Sequence, residues 1–128
     1  MKKPPDRITH LVPMIVIMGV IFFLSHQPGD NLYMPPFPWF DKVAHMAVYA
    51  VLGVTVLYAF HSRLQSERMV QASLLTLSIC LFYGIGDEFH QSFIPGRFAS
   101  FGDVVADTMG AVAAIVTWFL WKQRRVRN

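Results

Sequence analysis

The sequence has one cysteine, Cys80, among 128 residues. That single thiol excludes an intrachain disulfide and any paired-cysteine metal site. Charge is scarce too: Asp, Glu, Lys and Arg make up 15% of the chain, where an ordinary soluble domain has about 25%. No Gly-rich phosphate loop, GxSxG elbow or HExxH spacing occurs. The short motifs of nucleotide binding, serine hydrolysis and zinc proteolysis are therefore missing. No internal repeat or low-complexity tract breaks the chain, and its length allows one domain at most.

Apolar residues are abundant. They form 54% of the sequence, and the mean hydropathy is +0.41. Three breaks divide the chain into four apolar segments, about residues 8–24, 43–60, 69–85 and 104–121. As helices of about 17 or 18 residues, each would be roughly 26 Å long, just enough for a hydrocarbon core of about 30 Å. The segments lack the in-out alternation of barrel strands. The expected fold is an all-α membrane protein, a single domain of four transmembrane helices over residues 1–128. Met1-Lys2-Lys3 ahead of an apolar stretch resembles a signal peptide. The stretch is too long for one, however, and Ser25-His26-Gln27-Pro28 has no small-x-small cleavage pattern. The first segment is read as a retained helix that tolerates or kinks at Pro13.

Four spans put both termini on one side. Lys2, Lys3, Arg7, Arg63, Arg68, Lys122, Arg124, Arg125 and Arg127 fall there, nine of the eleven basic residues. Only Lys42 and Arg97 lie opposite. This bias predicts cytoplasmic termini. Asp30, Asp41, Asp87, Glu88, Asp103 and Asp107 gather on the outer side. The net charge of +3 thus reflects topology and lipid contact, and no nucleic-acid partner is expected. Trp118 and Trp121 near the inner ends and Trp39 near the outer ends fit interfacial aromatic belts. The short loop around residues 61–68 predicts an antiparallel hairpin of the second and third helices. Pro28, Pro35, Pro36 and Pro38, interleaved with Tyr33, Phe37, Trp39 and Phe40, predict an irregular segment on the outer surface.

The polar chemistry converges on those outer ends. Asp41, His45, Tyr49 and Gly53 are four apart and drift slowly along one helical face. If the third helix continues through Gly86-Asp87-Glu88-Phe89-His90-Gln91, then Asp87, His90 and Gln91 share a face. Ile94-Pro95-Gly96-Arg97 turns the chain, and Asp103 alone, or Ser100 with Asp103, would cap the fourth helix. Ala106, Gly110 and Ala114 form a small-xxx-small row suited to packing within the chain or in a homodimer.

Ionisable groups near a bilayer are costly and normally pair or line a cavity. As interhelical glue, these residues would lock four short helices together. A carboxylate with His45 or His90 would instead make an acid/base pair, with Glu88 and Asp87 as catalytic candidates. Arg97 on its turn would receive a phosphate or carboxylate headgroup. A substrate or headgroup site would draw on Asp41, Lys42, His45, Gln91, Arg97, Asp103 and Asp107. No tight ligand spacing supports a metal, and no cofactor is expected. Ser25-His26-Gln27 reads first as a helix end, His10 and His61 as interfacial, and the seven methionines as packing or lipid-facing residues.

In these blocks the chain resembles the VanZ-like family. They are Phe22-Phe23-Leu24-Ser25-His26-Gln27-Pro28-Gly29, Asp41-Lys42-Val43-Ala44-His45 through Tyr49 to Gly53, and Asp87-Glu88-Phe89-His90-Gln91 through Pro95-Gly96-Arg97 to Asp103, Asp107 and Gly110. The family pattern often has Ser where His26 stands and Asn where Asp107 stands. The resemblance implies a small multi-pass membrane protein of the cell envelope, in a family named for resistance to the glycopeptide teicoplanin. With the outer polar site, it leads to three expectations. The first is recognition of an anionic lipid or lipid-linked precursor headgroup from a bacterial cytoplasmic membrane. The second is a structural or assembly subunit, and the third an acid/base hydrolase or transferase on a lipid-linked substrate. A transporter would need at least a dimer of so few helices.

Overall fold

The computed structural model describes residues 8–33, 35–60 and 68–127. A 3-10 turn, Thr9–Leu11, leads into α1, Val12–Ser25. A second 3-10 turn, Gly29–Asn31, precedes α2, Phe40–Phe60, then α3, Met69–Gln91, and α4, Phe101–Arg127. No strand occurs among the described residues. The chain is thus all-helical, and α2, α3 and α4 are long and apolar enough to cross a membrane. The apolar stretch Thr9–Ser25 is shorter. Lys2, Lys3, Asp6, Arg7, His61, Arg63 and Glu67, which contribute to the sidedness argument, lie outside the described residues.

Local chemistry accounts for the helix ends. Pro13 sits in the first turn of α1, where its missing N–H has no intrahelical partner to lose. At the other end of α1, His26 N–H donates to Phe22 O at 3.0 Å before Pro28 stops the helix. The proline-rich stretch delays α2 until Phe40. Asp87-Glu88-Phe89-His90-Gln91 stays helical, so α3 extends six residues past its apolar run.

Helix α2 is the hub. It touches the other three helices and packs most extensively on α4, while α1 and α4 each also pack on α3. Small residues make the α2–α4 approach possible. Ala106, Gly110, Ala111 and Ala114 are all buried, so the small-residue row is used inside the chain. A Cβ on Gly110 would collide with the Met46 carbonyl and lie 2.8 Å from Ala50 N. The core holds Ile21, Tyr49, Leu52, Val56, Cys80 and Ala111, while Val70, Phe82, Phe89 and Met109 point outward. On α2 the row from Asp41 and His45 to Tyr49 and Gly53 grows more buried with depth. On α3 the buried face runs Ala72, Thr76, Cys80, Gly84, Asp87, Gln91.

Candidate functional site

The start of α2, the end of α3 and the start of α4 meet at one end of the bundle. Lys42 anchors this end. Its ammonium donates to Asp41 Oδ2 at 2.8 Å, Asp103 Oδ1 at 2.5 Å and Ser100 Oγ at 3.1 Å. Those three bonds use every donor an ammonium has. Ser100 caps α4 by accepting Asp103 N–H at 3.2 Å, and its hydroxyl donates to Asp103 Oδ2 at 2.7 Å. Its own N–H donates to Glu88 Oε2 at 3.1 Å, which ties α3 to the cap. A capping box would have returned that N–H to Asp103. The fold gives it to Glu88 instead.

His45 lies deeper. Its Nδ1–H donates to Asp107 Oδ1 at 2.9 Å, and Glu88 Oε1 is 3.8 Å from the same nitrogen. On the other ring edge, Nε2 stands 4.0 Å from Asp103 Oδ1. Asp87, Glu88, Asp103 and Asp107 are all buried, Asp107 completely. On the α1 side, Gln91 Nε2 donates to Ser25 Oγ at 3.0 Å and to Asp87 Oδ2 at 3.3 Å.

His90 sits elsewhere. Its ring is stacked on His26, with His90 Nε2 and His26 Nδ1 3.2 Å apart, and Phe22 packs beside both. Of the two histidines that sequence spacing offers as acid/base partners, the fold brings His45 to the carboxylates and turns His90 toward α1.

Two adjoining cavities open at this end. The larger, about 240 Å³, has apolar walls from Ile21, Leu24, Leu32, Phe40, Ala44 and Val48. Its polar lining comes from Ser25, Asp41, His45, Asp87, Gln91 and Arg97. The second, about 200 Å³, shares Asp41, His45, Gln91 and Arg97 and adds Asp103. Lys42 and Asp107 line neither, because one is committed to its three bonds and the other lies beneath His45.

Arg97 is held over both cavities by a contact between loops. Gly29 N–H donates to Pro95 O at 3.0 Å, and Gly96 adopts φ +74°, a left-handed conformation that glycine takes without penalty. A Cβ on Gly29 would strike the Gly96 carbonyl. Among the described residues, the Arg97 guanidinium makes no hydrogen bond or ion pair. Sequence reasoning ranked one part of this site second and missed another. Ser25 reads first as a helix end, with a role in the site as the lesser alternative, and it is a buried partner of Gln91. The apolar wall from Ile21, Leu24 and Val48 gave no signal, because lipid-facing and cavity-facing aliphatics look alike in a sequence.

Small apolar helices around a buried polar cluster define a multi-pass membrane protein with a pocket at one end. The chain belongs to the VanZ/LLP1 family, whose match spans residues 10–122, nearly its whole length. It is 32% identical over 119 residues to the uncharacterized protein C11E3.10 of Schizosaccharomyces pombe, covering 92% of this chain and 67% of the yeast one. No solved structure matches it.

Proposed function

We propose that the cavity beneath Arg97 receives the anionic headgroup of a membrane lipid or lipid-linked envelope precursor. The site faces the extracytoplasmic side of a bacterial cytoplasmic membrane. The observation that carries this reading is the half-buried Arg97, whose guanidinium has no hydrogen-bond or ion-pair partner among the described residues and is set over a cavity with aliphatic walls. An arginine fork binds phosphate or carboxylate bidentately, and the aliphatic wall suits the first carbons of an acyl or prenyl chain. Lys42 has no donor left, so Arg97 carries the anion alone. Tyr33, Phe37, Trp39, Phe93, Phe98 and Phe101 are exposed around this end, which fits an interfacial aromatic belt. Arg68, Lys122, Arg124, Arg125 and Arg127 cluster at the opposite end, which supports cytoplasmic termini.

The cavity's size bears on the link to glycopeptide resistance. With its neighbour of about 200 Å³ the cavity of about 240 Å³ reaches only the lower part of the range of about 300–1,000 Å³ that encloses drug-sized ligands. It suits a headgroup and is too small for an antibiotic such as teicoplanin. On this reading any resistance would act through a lipid-linked precursor held in the site.

Native mass spectrometry of the protein extracted with its lipids tests this reading. The wild type should retain a defined anionic lipid, and Arg97→Ala should lose it while keeping bulk lipid. Identical lipid in both proteins would sink the proposal.

A structural role has its own observation, the closed network of Lys42, Asp41, Ser100, Asp103 and Glu88. These residues are interhelical glue, and the headgroup reading leaves that task to them. If Arg97→Ala lowers thermal stability and leaves bound lipid unchanged, glue describes the whole cluster.

A further inference from the structure

We propose that His45, Glu88 and Asp107 form a binding site for one divalent transition-metal ion of the zinc or manganese type. The three come from three different helices, and one ligand atom from each lies within 4.8 Å of the others. Around an ion with metal–ligand distances of about 2.1 Å, tetrahedral neighbours are about 3.4 Å apart. The 2.9 Å between His45 Nδ1 and Asp107 Oδ1 and the 3.8 Å to Glu88 Oε1 bracket that spacing.

An acidic cluster alone would not identify such a site. The second observation is that Glu88 Oε1 and Asp107 Oδ2 are buried carboxylate oxygens with no hydrogen-bond partner among the described residues. Glu88 is 6% exposed, and its other oxygen is committed to Ser100 N–H, so Oε1 is directed at His45. A buried carboxylate oxygen left unpaired is costly, and such groups normally pair or coordinate a metal. Charge balance points the same way. Asp87, Glu88, Asp103 and Asp107 are buried together, and Lys42 is already bonded to Asp41 and Asp103.

An ion on Nδ1 displaces its proton, which leaves Nε2–H facing Asp103 at 4.0 Å. Lys42 and Ser100 hold that carboxylate on the Nε2 side of the ring, beyond direct hydrogen-bond reach of the imidazole. One nitrogen and two carboxylate ligands suit zinc or manganese better than calcium or copper(I). With three protein ligands the ion keeps an open position. His45 lines both cavities while Glu88 and Asp107 line neither, so the ion would sit on the buried side of the imidazole.

The test uses the full chain in detergent, stripped with chelator and then titrated with Zn²⁺ or Mn²⁺ alone. Metal content is read by elemental analysis after gel filtration. Wild type should retain one ion per chain. Glu88→Gln and Asp107→Asn, which preserve the Ser100 and His45 hydrogen bonds, should each weaken binding by at least about tenfold. A His26→Ala/His90→Ala protein should bind like wild type. Metal content well below one ion per wild-type chain overturns the proposal. So does unchanged binding in folded Glu88→Gln or Asp107→Asn, or loss of binding with the His26/His90 pair. Since the wild-type titration alone can refute the site, misfolding of one variant does not protect it. The site stands apart from headgroup binding, which is read separately on Arg97→Ala.

Discussion

His45 on α2 and Asp107 on α4 share a hydrogen bond of 2.9 Å, and Asp107 is completely buried. An Asn at position 107 would offer His45 the same acceptor without a charge. Asp107→Asn should therefore melt in detergent within about 1 kcal/mol of wild type, or higher, because a buried charge is gone. Asp107→Ala leaves His45 without its acceptor and opens a void, and should lose about 1–3 kcal/mol. If the two variants melt alike, the hydrogen bond contributes nothing to the fold.

The Lys42 clamp makes a different prediction. Lys42→Ala strands the buried Asp103 carboxylate, at a cost of about 3 kcal/mol at most, since the Lys42 side chain is 29% exposed. A Lys42→Ala/Asp103→Asn protein removes both charges and should recover part of that loss. Thermal melts of the four proteins of this cycle measure the coupling. Losses that simply add would show that the pair is not coupled.

Gly110 marks the closest approach of α2 and α4. Gly110→Ala should cost about 1–3 kcal/mol through overpacking, because its methyl meets the Met46 carbonyl. Met109→Ala, one residue earlier on an outward-facing position, should melt close to wild type. Comparable melting of both variants would place the α2–α4 contact elsewhere.

The helices were legible in the sequence because apolar runs of span length have few other uses. Their polar ends were less so. Asp87 through Gln91 lowers the local hydropathy, yet the backbone there keeps its helical bonds, so α3 runs on past its apolar segment. Spacing of four put Asp41, His45, Tyr49 and Gly53 on one face, but periodicity gives a face and not its partner. Only packing decides that His45 meets Asp107 and Glu88 while His90 meets His26. For the same reason the candidate metal ligands have no sequence signature, with one residue drawn from each of three helices. Lys42 and Arg97 were equivalent outer cations in the sequence. The fold separates them, saturating one with carboxylates and leaving the other over a cavity.

The most direct test of the central claim is an equilibrium titration with two short-chain lipids, a phosphatidic acid and a phosphatidylcholine. It compares wild type, Arg97→Ala and Arg124→Ala, the last altering a cation at the far end of α4. A bidentate charge-assisted pair contributes about 1.5–3 kcal/mol, so wild type should prefer the phosphate monoester by at least about tenfold. Arg97→Ala should lose that preference and Arg124→Ala should keep it. Equal phosphatidic acid affinity in wild type and Arg97→Ala would contradict the account.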